Sequence, residues 1–224
     1  MNSSNCPLKD VAQREWSAGL FSGCAIGQAT AEDLKTPLLC GTRNGVEGNW
    51  LSERDLFDAA SLTKSVVTAT LALLALQRGM AELEEPIVKR LPELMTKYRE
   101  EVLLRHLLTQ TLDYRVSLSS LKKESPQKII ETLLYWPFEY RPGDSFLYCN
   151  ATSMLLGLWL ERVWRGAIDQ IAEREIFHPL EMNSSTFHPL QKRKVEEIVP
   201  SEIDSWRGGM VRGEVHDESA WTMM

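Results

Sequence analysis

The chain has 224 residues, 43% of them hydrophobic, which is enough for one substantial core or for a domain with a smaller insert. Its 31 acidic and 25 basic residues give a net charge of −6, and the one short basic block, QKRKV at 191–195, is too small to make a nucleic-acid surface. Small-molecule chemistry or a protein partner is the expected role, with no nucleic-acid partner.

The first sixteen residues, MNSSNCPLKDVAQREW, carry no apolar run after their first charges, so a secretory leader is not expected and the chain reads as cytoplasmic. Short apolar runs at 20–26 (LFSGCAI) and 38–42 (LLCGT) are bounded by Gly, Pro and Asn and suit two strands of a hairpin-like pair. The segment 43–49 (RNGVEGN) is rich in turn residues. A helix is expected from about Ser61 to Arg78, with Gly79 as its C-terminal cap. Its apolar run, 66–76, contains Thr68 and Thr70 and is well short of the ~20 residues of a membrane span.

A brief helical pattern at 106–109 is followed by a polar, loop-like stretch from Asp113 to Ser120. Ser125 and Pro126 open a helix through Leu134, and YRPGD at 140–144 is a turn. ATSMLLGLWLERVWR at 151–165 reads as a second core helix, its stripe of Leu155, Leu158, Trp159 and Arg162 at helical spacing. A third runs from Ala167 to Phe177, stopped by Pro179. The chain then reads as three stretches within one domain, 1–224: N-terminal strands at 1–60, a helical region at 61–187 and a loop-rich tail at 188–224. Two strands alone do not make a stable sheet. Either residues 211–224 add strand or the sheet is completed from outside.

Four cysteines, Cys6, Cys24, Cys40 and Cys149, form no CxxC pair, and the four histidines show no HExxH spacing, so no metal site is expected. Cys24 and Cys40 can pair if they lie on neighbouring strands; buried free thiols are the other reading. The glycine-rich pieces lack both the phosphate-loop lysine and the GxGxxG spacing, so no nucleotide cofactor is expected.

Four Ser-x-x-Lys spacings occur, and context separates them. Ser119 with Lys122, Ser120 with Lys123 and Ser125 with Lys128 lie in a charged, polar stretch. Ser61 with Lys64 instead opens the most apolar helix, where positions i and i+3 share a face. There the hydroxyl and the amine can meet within hydrogen-bond reach in a buried groove. Burial and the positive helix end both disfavour an ammonium and favour a neutral amine able to take the hydroxyl proton. The competing reading is an ordinary helix start with a solvent-facing lysine. The single Tyr-x-Asn, Tyr148 to Asn150, follows the Pro142-Gly143 turn. A tyrosine near a lysine is drawn toward phenolate and can shuttle protons, while Asn150 can bind a substrate carbonyl or amide. The competing reading is a core aromatic and a helix cap.

The run LFDAASLTKSVVTATLALLALQRGMAELEEPIVKRLPEL, with RHLLTQT at 105–111, FEYRPGDSFLYCN at 138–150, MLLGLWLERVWRG at 154–166 and IFHPLEMNSSTF at 176–187, resembles, in the same order, the serine β-lactamase-related proteins. That family includes class C β-lactamases, DD-peptidases of the penicillin-binding type and serine esterases. The tail GEVHDESAW at 213–221 is similar to a segment of esterase-like members. The resemblance implies an α/β (α+β) fold of the β-lactamase/transpeptidase type, an antiparallel sheet flanked by helices with a helical subdomain beside it. It also implies Ser61 as acylated nucleophile, Lys64 as its base, Tyr148 as proton relay and Asn150 as substrate holder, acting on a small ester or amide without a cofactor.

No Lys-x-Gly or His-x-Gly, the family's third element, occurs anywhere in the 224 residues. The chain is therefore expected to hold the N-terminal portion of the fold with an incomplete sheet, and a second copy or a completing chain is the expected partner. A catalytically impaired fragment, or a non-catalytic binding protein that retains the fold, is the alternative.

Overall fold

The run PLKDVAQREWS has enough helix formers for three turns, and in the computed structural model, which describes residues 7–217, it forms α1 (Pro7–Ser17). The sequence reading found no element here, because only Ala12 of the helix is buried and no apolar stripe marks it. The left-handed Gly19 ends it, and the Leu20 N–H bonds back to the Glu15 carbonyl. Leu20 and Phe21 thus belong to the helix exit, and β1 begins later than expected, at Gly23–Ala29.

β1 pairs antiparallel with β2 (Leu34–Gly41). Two residues of β2, Thr36 and Pro37, face the single Gly27 of β1, a bulge that takes in a proline unable to donate to the ladder. Gly41, with φ of +88°, lies where a Cβ would meet the Ser22 carbonyl and the Trp16 ring, so the strand exit packs directly on α1. Trp16 also meets Trp50 edge to face at 5.9 Å.

Residues 7–58 and 188–214 make one compact unit; 59–187 and 215–217 make another. In the first, the 188–214 stretch, expected as a loop-rich tail, carries the short helix α7 (Pro189–Lys192) and the small pair β3 (Ile203–Asp204) and β4 (Gly209–Met210). It is anchored by a parallel bridge from Leu56 to Ile198 and by Arg212, whose guanidinium donates to the Ile198 carbonyl at 2.6 Å. These contacts span far-separated sequence, which is why composition alone read them as loop. The β3–β4 pair forms a separate two-stranded sheet, and the described residues from 211 to 217 add no strand.

The second unit holds the main core. Residues Lys64–Ala69 are π-helical and continue into α2 (Thr70–Gln77). After α3 (Leu104–Leu108) and α4 (Pro126–Leu134), the long α5 (Asn150–Trp164) packs against all of them and against α6 (Ile168–Ala172). The expected stripe is core: Leu155 and Trp159 are fully buried, Leu158 packs at its edge, and Arg162 reaches Glu93 at 2.9 Å. Ser125 caps α4 by accepting the Lys128 N–H, as its sequence context suggested. Tyr114 and Phe138 meet edge to face at 4.9 Å, and the buried Tyr114 hydroxyl donates to the Leu133 carbonyl at 2.6 Å. Among the described residues no helix is long and apolar enough to cross a membrane.

Cys24 and Cys40 are direct register partners across β1 and β2, and both are free thiols. Antiparallel partners stand about 4.5–5.5 Å apart at Cα, within the ~4.4–6.8 Å that a disulfide spans. Burial, and then the neighbouring Cys40 thiol, hold the Cys24 thiol above its usual range, so it reacts slowly until the pH is raised. Oxidised glutathione in mildly alkaline buffer is expected to close this pair, read by mass spectrometry as loss of two hydrogens and a cross-linked 24–40 peptide. Cys24→Ser abolishes it; mixed glutathione adducts alone would contradict the pairing.

Candidate active site

The second unit's first helix begins under strain. Ala60 has φ of +45°, a left-handed conformation that costs a non-glycine residue about 1–3 kcal/mol and collects at functional sites. Tight turns follow, with Leu62, Thr63 and Lys64 N–H groups bonding to the carbonyls of Ala59, Ala60 and Ser61. The helix then widens to the π form through Ala69. Two threonines brace the widened turns, Thr68 donating to the Lys64 carbonyl at 2.8 Å and Thr70 to the Ser65 carbonyl at 3.0 Å. Ser61 is therefore displayed on the turn entering the helix, with Lys64 one turn along.

The second support of the site is the extended segment 146–149, held by residues before α4. The Leu147 N–H bonds to the Gln110 carbonyl at 2.8 Å and the Cys149 N–H to the Gln110 side chain at 3.1 Å, so one residue pins both neighbours of Tyr148. Gln110 is itself left-handed, with φ of +56°, and its amide donates to Ser153 on α5 at 2.9 Å. The preceding turn needs glycine: Gly143 has φ of +94°, and a Cβ there would lie 3.3 Å from His106 Nε2. Asp113, read from sequence as polar loop, is buried, because its carboxylate accepts the N–H groups of Glu139 and Tyr140 at 2.8 and 3.1 Å.

These two supports bring all four expected residues together. Lys64 Nζ donates to Ser61 Oγ at 3.1 Å and to Asn150 Oδ1 at 2.9 Å, across 86 positions of sequence in the second case. The same ammonium stands 5.3 Å from the centre of the Tyr148 ring. The Tyr148 hydroxyl is drawn below the usual phenol range, chiefly by its hydrogen bond with Ser61; partial burial opposes this, while the hydrogen bond and charge of Lys64 add to it. Asn150, at the first turn of α5, points its side chain at Lys64 rather than serving as the cap residue, which is Cys149.

One expectation is corrected. The site is not a buried groove: Ser61 is exposed, Lys64 half-buried and Tyr148 55% exposed, and Leu62 and Val66 of the same segment are likewise uncovered. The other Ser-x-x-Lys spacings divide as context suggested. Ser120 donates to the Ser117 carbonyl, Ser125 caps α4, and Lys128 turns to Glu131 at 3.6 Å.

Asp217 joins the cluster and was missed. Its carboxylate accepts from Asn150 Nδ2 at 2.5 Å, 67 positions away. The only signal in the sequence was the GEVHDESAW segment, whose likeness to esterase-like members did not say which residue mattered.

The family model described as Beta-lactamase matches residues 39–197. A protein of Escherichia coli (strain K12) bearing the provisional name D-alanyl-D-alanine carboxypeptidase is 26% identical over 195 residues, covering 75% of this chain and 45% of that protein. The chain thus spans about half the length of the curated relatives it matches. Among solved structures, a class C β-lactamase mutant superposes with a TM-score of 0.80 at 17% identity, covering 96% of this chain and 58% of that one. A hydrolase with promiscuous acyltransferase activity gives 0.73 at 20% identity, covering 88% and 56%. At these identities the likeness is one of fold, the β-lactamase/transpeptidase type, in which helices accompany a small antiparallel sheet.

The chain has five tyrosines. Ultraviolet titration of phenolate absorbance is expected to show one ionising below the ordinary value of about 10. Tyr148→Phe should remove that earliest step, and Ser61→Ala should move it upward, since the serine hydrogen bond is the leading cause of the shift. An unchanged low-pH limb in Tyr148→Phe would contradict the assignment.

Proposed function

The chain belongs to the β-lactamase family, and from that membership we propose that it is a serine hydrolase that cleaves a small ester or amide through an acyl-enzyme on Ser61. The observation that carries this reading is the convergence of Lys64 on both Ser61 and Asn150, with Tyr148 hydrogen-bonded to the same serine.

In this reading Ser61 Oγ attacks the substrate carbonyl carbon. Its proton passes to Tyr148, whose hydroxyl is drawn toward phenolate, with Lys64 as the alternative base; both are in hydrogen-bond contact with the serine hydroxyl. The lowered phenol matters, because a base works best when its affinity for the proton approaches the operating pH. The tetrahedral intermediate expels an alcohol or amine, which takes that proton. Water then attacks the acyl carbon, and the same groups return a proton to Ser61. Asn150 holds the substrate carbonyl or amide. Esters and peptide-like amides are the proposed substrates ahead of lactams, and the cytoplasm is the proposed place of action.

The 224 residues contain no Lys-x-Gly or His-x-Gly to supply a facing strand. Loss of one oxyanion donor costs about 10²–10³ in rate. Acylation of this chain by itself is therefore expected to be slow, and a second copy or a completing chain is the proposed source of the missing donor. A second reading is a binding protein that keeps the fold without turnover.

Intact-mass spectrometry after exposure to a fluorophosphonate, and separately to a penicillin, distinguishes the two. A single adduct on the parent chain that is absent in Ser61→Ala is expected, with the fluorophosphonate reacting faster. A folded chain that forms no adduct would contradict the hydrolase reading and leave the binding protein.

A further inference from the structure

An asparagine amide has two ends of opposite polarity and nearly the same shape, so its neighbours decide which way it points. At Asn150 both ends are engaged: Oδ1 accepts from the Lys64 ammonium at 2.9 Å, and Nδ2 donates to the Asp217 carboxylate at 2.5 Å. Turning the amide over would set its N–H groups against an ammonium and its oxygen against a carboxylate. Both contacts would change from attractive to repulsive.

We propose that Asp217 is a positioning residue for the Ser61 site, fixing the Asn150 amide so that it holds Lys64 on one side and presents an N–H to substrate on the other. The chain path supports a dedicated role. Residues 188–214 pack with the strand-bearing unit, yet residues 215–217 pack with the helical unit that contains Ser61. This short stretch thus delivers a carboxylate to the amide from 67 positions downstream.

Charge matters beyond orientation. A carboxylate bonded to one end of an amide polarises it and strengthens the other end as an acceptor, so Asp217 tightens the grip of Asn150 on Lys64 without touching the lysine. Nδ2 carries two hydrogens. With one committed to Asp217, the direction of the second is set, and that is the donor a substrate carbonyl would meet.

The inference rests on the hydrolase reading for its catalytic consequence, but not for the contact itself, and two readouts keep them apart. The first is the side-chain amide resonance of Asn150 in the ¹⁵N-labelled 224-residue chain, assigned by its loss in Asn150→Ala. It is expected to be displaced from the free-amide position and slow to exchange with solvent in the parent, to return to that position in Asp217→Ala, and to lie between in Asp217→Asn, which keeps an acceptor without the charge. The second is the saturable rate of Ser61 labelling by fluorophosphonate. Asp217→Ala is expected to lower the limiting rate roughly tenfold or more, as misplacement of a reacting group does, with little change in half-saturation or in melting temperature. If Asp217→Ala does not fold, the isosteric Asp217→Asn carries both readouts. An Asn150 resonance unmoved by either variant, or an unaltered limiting rate in a parent that does label, would overturn the proposal. A parent that does not label would sink the hydrolase reading while the resonance still decides the role of Asp217.

Discussion

The hydrogen bonds of the Lys64 ammonium organise everything else at this site. One reaches Ser61 a single helical turn away, and the other reaches Asn150 at the start of a helix that lies far along the chain. Charge-assisted hydrogen bonds contribute about 1.5–3 kcal/mol each, more than a neutral pair. That is the same order as the strain of the left-handed Ala60, about 1–3 kcal/mol. The network is thus strong enough to hold the serine in its displayed position, and the strained turn has an evident compensation within reach.

The bonds are precise because both of their anchors are rigid. The helix that carries Lys64 sinks Leu71, Ala72 and Ala75 into the core beside Trp159 of α5, and α5 itself begins at Asn150. Core and site therefore share their elements, so the first turn of one buried helix is placed against the first turn of another. Gln110 completes the frame by bonding on either side of Tyr148. The contrast with the exposed outer face is sharp: Leu62, Val66 and Leu73 remain uncovered on the helix whose opposite side is fully packed.

The parts of this arrangement that depend on local spacing were legible in the sequence. Ser61 and Lys64 are three residues apart on a helix, so their meeting follows from the helical repeat. The core stripe of α5 follows from the same periodicity, and the serine cap of α4 from side-chain chemistry. Tyr148 and Asn150 were found through family likeness, since nothing in a Tyr-x-Asn tripeptide says that it faces a distant helix. Features set by long-range contact escaped: the return of residues 188–214 to the strand unit, and the engagement of Asn150 by Asp217. The π-helical turns left no periodic trace because the deviation lasts only Lys64–Ala69. Exposure was misjudged at Ser61 because an apolar helix reads as buried all round, whereas one of its faces is bare.

The central claim is that Lys64 and Asn150 act on Ser61 as one unit. A double-mutant cycle on the rate of Ser61 labelling by fluorophosphonate tests it, using Lys64→Ala, Asn150→Ala and the pair. If the unit is real, each single change removes most of the same contribution and the double variant is little slower than the slower single one. Strictly multiplicative losses would contradict it, showing that the bond between Lys64 and Asn150 plays no part in activating the serine.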